Sequence, residues 1–330
     1  MKAAIIGLSG PDLLPAEAAL LRAEAPAGVI LFARNIVDPA RLHALIAATR
    51  AALPPGAVLM VDQEGGRVAR LRPPHWRAHP PAARLGEIAL RDRAQGRRAA
   101  WLTGALIGLD CVAAGFDVAA APVLDVRVPG AHDVIGDRAY AEDPALVADL
   151  AGACAEGLLA AGCQPVGKHA PGHGRAGVDS HLALPTVAVI PEAELLPFKA
   201  LAAILPWMMT AHVRILAWDP ERPATLSPVI IERIIRDEIG FLGVLVSDDL
   251  AMQALSGSPA ERAAGALAAG CDIALHCSGR LEESASVLAA CPALTPEAAE
   301  RFARAARLAR AARRDLDPVA LAAERDALLA

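Results

Sequence analysis

Gly243-Val244-Leu245-Val246-Ser247-Asp248-Asp249-Leu250 is the stretch on which the fold turns. Three aliphatic residues run without interruption, and two aspartates follow after a single serine. A strand with one solvated face alternates apolar with polar residues. A continuous apolar run is the pattern of a strand buried on both faces, as in a parallel sheet. The acids then fall where such a strand meets solvent.

The same unit recurs from end to end. Apolar runs lie at residues 3–6, 29–32, 58–61, 118–126 (interrupted by Pro122), 165–167, 207–210, 244–246 and 273–275. Amphipathic stretches between them carry helix-start signals. Asp38-Pro39, Asp143-Pro144, Ser227-Pro228 and Thr295-Pro296 each offer a capping side chain followed by a proline at the first helical position. Ser258-Pro259-Ala260-Glu261 is a capping box, and Gly162, Gly240 and Gly270 are stops. The helix after the fifth run is expected within 182–202. The pattern predicts an α/β chain folded as a single (β/α)₈ TIM-like barrel, one domain over residues 1–330. An open doubly wound sheet is the rival. No G-x-G-x-x-G turn or P-loop supports it, and no linker or internal repeat divides the chain.

Composition excludes several classes of partner. Lys plus Arg number 32 against 37 Asp plus Glu, a net charge of −5, with no long run of one sign. Nothing here suits nucleic acid or an anionic membrane. Six cysteines, at 111, 154, 163, 271, 277 and 291, show no zinc-ribbon or C-x-x-C spacing. They read as reduced, packed thiols of a cytoplasmic protein. The N-terminal apolar run is too short for a signal peptide, and no membrane span is expected. A monomer without cofactor or metal is expected.

The polar residues after the runs form a second pattern. Asp62 follows the third, Asp125 ends the fourth, Lys168-His169 follow the fifth, His212 the sixth, and Asp248-Asp249 the seventh. In a barrel all five points lie on the C-terminal face, where active sites are built.

Each constellation has a plain and a chemical reading. In Val61-Asp-Gln-Glu-Gly-Gly-Arg-Val-Ala-Arg70 the charges either solvate a turn or turn Asp62 and Arg70 toward the barrel mouth. There a carboxylate accepts from two sugar hydroxyls and an arginine returns donors. Arg138, in Gly136-Asp-Arg-Ala-Tyr140, either belongs to a polar connection or reaches a ligand. Between Gly167 and His181 stand three histidines, a lysine, an aspartate and four glycines. A metal site is the lesser reading, because the spacing matches no zinc pattern. Pairing Asp179 with His181 instead makes a general acid–base. Asp249 takes the role of capping the next helix, which leaves Asp248 free to attack an anomeric carbon. His212 either lines the pocket or caps its strand. His43, His75, His79, His132 and His276 read as solvent-facing or packed.

Together these residues resemble glycoside hydrolase family three, and within it the bacterial β-N-acetylglucosaminidases of peptidoglycan recycling. The matching pieces are Gly28-Val-Ile-Leu-Phe-Ala-Arg-Asn35, Val61-Asp-Gln-Glu-Gly-Gly-Arg67 and Val134-Ile-Gly-Asp-Arg138. Lys168-His-Ala-Pro-Gly-His-Gly174, Asp179-Ser-His181, Met209-Thr-Ala-His212 and Ser247-Asp-Asp-Leu250 follow in order. The family usually has an aromatic where this chain has Ala170, a loss of packing but of no chemical group. The chain also ends where a single barrel would end, so members with a second domain are the poorer comparison.

The resemblance implies Asp248 as nucleophile, and His181 with Asp179 as acid–base on a mobile loop. It implies Asp62, Arg70, Arg138, Lys168 and His169 as the sugar's holders. The implied substrate is a small carbohydrate, a muropeptide or chitobiose-like compound. Gly172, Gly174 and Gly177 are expected to let the loop tip swing, with His173 shaping it. Alternatives are a β-glucosidase, a β-N-acetylglucosaminide phosphorylase, a metal-dependent hydrolase or a non-catalytic sugar-binding protein.

Overall fold

A computed structural model describes all of residues 1–330. Eight strands form one parallel sheet: β1 (Lys2–Gly7), β2 (Pro26–Leu31), β3 (Val58–Val61), β4 (Val118–Ala119), β5 (Gln164–Ala170), β6 (Trp207–Thr210), β7 (Val244–Val246) and β8 (Ala274–His276). Their spatial order is β8-β1-β2-β3-β4-β5-β6-β7. A parallel bridge from Val246 to Ile273 joins the two ends, and Ser247 N–H donates to Ile273 C=O at 3.0 Å. The sheet thus closes into the expected TIM-like barrel.

Both faces of the strands are buried, which explains their uninterrupted apolar sequence. Inward side chains such as Ile5, Ile30, Met60, Val118, Val166, Trp207, Val244 and Leu275 fill the barrel. A larger apolar layer lies between strands and helices. The barrel's lower end is plugged by helix Pro296–Ala312, whose Phe302 meets Trp207 edge-to-face with ring centroids 5.3 Å apart. That contact replaces aromatic bulk the sequence otherwise lacks.

The caps do what their sequence predicts. Asp38 accepts from Arg41 N–H at 2.9 Å, Asp143 from Ala145 N–H at 3.0 Å, and Thr295 from Ala298 N–H at 3.1 Å. Ser258 and Glu261 close their box, and Gly270 ends that helix at φ 115°. Three details differ from expectation. In the fourth run only Val118–Ala119 is regular strand, because Pro122 has no N–H to give the ladder. The helix expected within 182–202 is confined to Glu192–Leu201, after Pro185 and Pro191. The segment behind Ser227 winds as a π-helix, Ile230–Glu238, with Ile230, Ile231, Ile234 and Ile235 buried. No helix is long and apolar enough to cross a membrane.

Candidate active site

The C-terminal ends of the strands converge on one pocket. Its wall includes Asp62, Arg70, Arg138, Lys168, His169, His173, His181, Asp248 and Asp249, with Phe32, Met209, Met252 and Cys277 among its apolar parts. Asp179 stands behind His181 and is absent from the wall itself.

The loop after β3 is fixed by a residue without charge. Gln63 is fully buried. Its amide donates to Leu71 C=O at 3.0 Å, and its oxygen accepts from Arg70 N–H at 2.7 Å and Leu71 N–H at 3.0 Å. This staple brings Arg70 back over Asp62. Arg70 Nη2 donates to Asp62 Oδ2 at 2.9 Å, and Lys168 Nζ donates to Asp62 Oδ1 at 2.7 Å. Burial pushes the Asp62 carboxyl upward, but Lys168 and Arg70 outweigh it and hold the group below its ordinary value. Each oxygen keeps a lone pair for a hydroxyl donor.

β5 carries the next two groups. Its pairing with β6 shifts register between Lys168 and Ala170, a bulge that lets Lys168 and His169 face the same pocket. The buried Lys168 ammonium lies between Asp62 and Glu64, 2.6 Å from Glu64 Oε1. Arg138 meets Glu64 through Nε and Nη2, both at 2.8 Å. Burial raises the Glu64 carboxyl, yet Arg138 and Lys168 draw it down to about 2. His169 donates from Nδ1 to Asp125 Oδ2 at 2.6 Å, which fixes its tautomer.

Glu64 and Asp125 have no assigned role in the sequence reading. The signal for Glu64 lies in its neighbours: two buried cations, Lys168 and Arg138, require a counter-charge. Asp125 carries the weaker signal of being an acid at a strand end.

Asp248 sits at the end of β7, half-buried, with Oδ1 accepting from Asp249 N–H at 2.8 Å. Burial pushes its pKa up, but His212, His169, the Asp249 N–H and Lys168 together hold it below the ordinary carboxylate value. It is an anion facing the pocket. His212 does not line that pocket. It is buried behind it, bonded to Thr225 Oγ1 at 2.8 Å and donating to Asp249 C=O at 2.9 Å. Asp249 is not a helix cap. The next helix starts at Pro259, and Asp249 Oδ1 accepts from Ala251 N–H at 2.8 Å and Cys277 N–H at 2.9 Å. It ties the end of β7 to the end of β8.

The loop from β5 arches over this floor. Asp179 Oδ1 accepts from His181 Nδ1 and from His181 N–H, both at 2.8 Å. The carboxylate can only accept, so Nδ1 carries the proton and Nε2 is free to take or give one. The His181 side chain is 64% exposed, at the open side of the pocket. Below it, His173 is buried, its Nε2 bonded to Ser180 Oγ at 3.0 Å and its N–H donating to Asp125 Oδ1 at 2.6 Å. Burial brings His173 down to about 4, so its ring is neutral. The loop's glycines do not share one purpose. A Cβ on Gly174 would lie 1.9 Å from Val126 C=O, whereas one on Gly177 would meet nothing within 4 Å. Gly174 is therefore a close-contact glycine, and only Gly177 stands in open space.

An anionic aspartate at a strand end and a carboxylate-backed imidazole line one polar pocket, which brings a nucleophile and an acid–base together, as hydrolysis of a glycosidic bond requires. The comparisons with known proteins agree. The family profile described as "Glycosyl hydrolase family 3 N terminal domain" matches residues 12–311. The chain belongs to that family and is a glycoside hydrolase. A β-hexosaminidase of Idiomarina loihiensis is 40% identical over 306 residues, covering 91% of each chain. One of Alkalilimnicola ehrlichii is 42% identical over 281 residues, 83% of this chain and 80% of that one. The crystal structure of NagZ from Neisseria gonorrhoeae with N-trifluoroacetyl-D-glucosamine superposes with a TM-score of 0.88 at 31% identity. It covers 100% of this chain and 98% of that one.

Proposed function

We propose that this glycoside hydrolase is a retaining exo-β-N-acetylglucosaminidase. It removes terminal β-linked N-acetylglucosamine from peptidoglycan fragments, the GlcNAc-1,6-anhydroMurNAc peptides. The observation that carries the reading is that His181, backed by Asp179, lines the same pocket as the anionic Asp248. The β-hexosaminidase relatives and the N-acylated glucosamine held by the gonococcal NagZ support the choice of sugar.

In the first step an Asp248 carboxylate oxygen bonds to the anomeric carbon as the glycosidic C–O bond breaks. The departing oxygen takes the proton from His181 Nε2. Asp179 stabilises the imidazolium and then holds the neutral ring by Nδ1. In the second step His181 Nε2 takes a proton from water, whose oxygen displaces Asp248 from the same carbon. Two inversions retain the β configuration. A histidine in place of the usual second carboxylate adds no negative charge beside Asp248. Asp62, Arg70, Arg138, Lys168 and His169 hold the sugar hydroxyls, and Asp62 takes two of them.

The enzyme acts as one barrel domain, monomeric and cytoplasmic, needing neither metal nor cofactor. Its six free, buried cysteines suit a reducing compartment. The deciding experiment sets an aryl β-N-acetylglucosaminide against the matching aryl β-glucoside, for wild type and Asp248→Ala side by side. The expected result is turnover of the first substrate only, lost in the variant. Equal turnover of the two glycosides sinks the sugar assignment. Release of a sugar phosphate in phosphate buffer sinks hydrolysis.

A further inference from the structure

Helix Pro318–Leu329 buries a charge. Arg325 is 5% exposed, and its Nη1 donates to His79 Nδ1 at 3.1 Å across 246 residues of sequence. Its Nε and Nη2 donate to Asp326 Oδ1 at 2.9 and 2.7 Å. The other ring nitrogen of His79 lies 3.0 Å from Asp110 Oδ2, and Arg77 pairs with the second oxygen of that carboxylate. An arginine only donates, so Nδ1 of His79 accepts and Nε2–H donates to Asp110. The ring is neutral, as burial also favours.

His79 backs the loop that follows β3. Its backbone C=O accepts from Gly66 N–H at 2.9 Å. A Cβ on Gly65 would lie 2.4 Å from Pro80 C=O, and one on Gly66 2.7 Å from Pro81 Cβ. Residues 79–81 are thus pressed onto Gly65-Gly66 with no slack. On one side of that pair stand Asp62 and Glu64, and on the other Arg70. A shift of the 79–81 segment is passed directly to all three.

We propose that Arg325 and His79 are positioning residues: a latch through which the C-terminal helix holds the β3 loop, and with it Asp62 and Arg70, in the geometry that grips the sugar. The proposal rests on the reading that Asp62 and Arg70 contact substrate. Neither latch residue lines the pocket. The helix has other anchors, Arg98 to Glu324 at 2.6 Å and Arg84 to Leu329 C=O at 2.7 Å. Loss of the Arg325 head group therefore leaves the helix docked.

The test is steady-state kinetics on an aryl β-N-acetylglucosaminide for wild type, His79→Phe, His79→Gln and Arg325→Met, with Asp62→Asn in parallel. In His79→Phe and Arg325→Met, KM should rise about tenfold while kcat falls by less than about threefold and the pH profile keeps its limbs. His79→Gln should stay near wild type, because its amide can accept from Arg325 and donate to Asp110. If His79→Phe does not fold, Arg325→Met carries the test with the loop sequence intact. An unchanged KM in Arg325→Met overturns the latch, as does an equal KM rise in the Phe and Gln variants. An unchanged KM in Asp62→Asn overturns the sugar-contact reading and the latch with it, whereas a raised KM there beside an unchanged KM in Arg325→Met overturns the latch alone.

Discussion

Glu64 and Arg138 form a two-point ion pair, Nε to Oε2 and Nη2 to Oε1, each at 2.8 Å, in a site that leaves the glutamate side chain 7% exposed. Lys168 shares the same carboxylate. Glu64→Gln would take from Arg138 its two-point carboxylate and from Lys168 one of its two carboxylate partners. Breaking a buried pair in this way costs about 3–5 kcal/mol. Urea denaturation of Glu64→Gln should show a loss of that order, together with a raised KM. Because the native carboxyl titrates at about 2, its contribution is complete above the ordinary glutamate range and is lost as pH falls through 2.

Asp248 and His181 should fail differently. Asp248→Ala should abolish turnover of every glycoside. His181→Ala should cost about 10²–10⁴ in kcat on a natural or alkyl glycoside. It should cost far less on a nitrophenyl glycoside, whose leaving group departs without a proton. Equal losses on both substrates would remove His181 from the acid–base role.

Asp179 should matter through the imidazole alone. Asp179→Asn keeps an acceptor oxygen near His181 Nδ1 but removes the charge that stabilises the imidazolium. The expected result is a kcat between wild type and His181→Ala on the alkyl glycoside. A kcat equal to wild type would show that the charge is not used.

His173 predicts a pH dependence of stability. The ring is neutral in the fold with a pKa of about 4, against an ordinary value of 6.5, so the unfolded chain binds the extra proton first. Stability should therefore fall as pH drops from about 6.5 to about 4 and stay level below that, by about 3 kcal/mol from this group. Thermal melts of His173→Gln across the same range should be flatter than those of wild type. Parallel curves would refute the assignment.

The two loop glycines separate packing from freedom. Gly174→Ala forces a methyl against Val126 C=O and should lower kcat at least about tenfold by displacing the loop that carries His181. Gly177→Ala meets no neighbour and should leave kcat within about twofold. Kinetics of the pair, with melting temperatures as control, distinguishes a loop held in place from one that depends on swinging.

The sequence by itself determined the eight strands and the five helix starts marked by a capping residue and a proline, at Pro39, Pro144, Pro228, Pro259 and Pro296. Apolar runs, Asx-Pro and Ser-Pro caps and glycine stops act over a few residues, and local chemistry is enough to read them. It also determined which polar side chains stand at strand ends, since a barrel sends every strand end to one face. Tertiary structure alone decided what those side chains touch. Glu64 meets Arg138 across 74 residues, Asp125 meets His169 across 44, and Arg325 meets His79 across 246. It also moved Asp249 from a helix cap to a tie between β7 and β8, and gave Gly174 a carbonyl to avoid. Periodicity carries no information on such pairs, because they form only when barrel closure sets the distance between elements. A buried charge then keeps whichever partner closure has brought within reach.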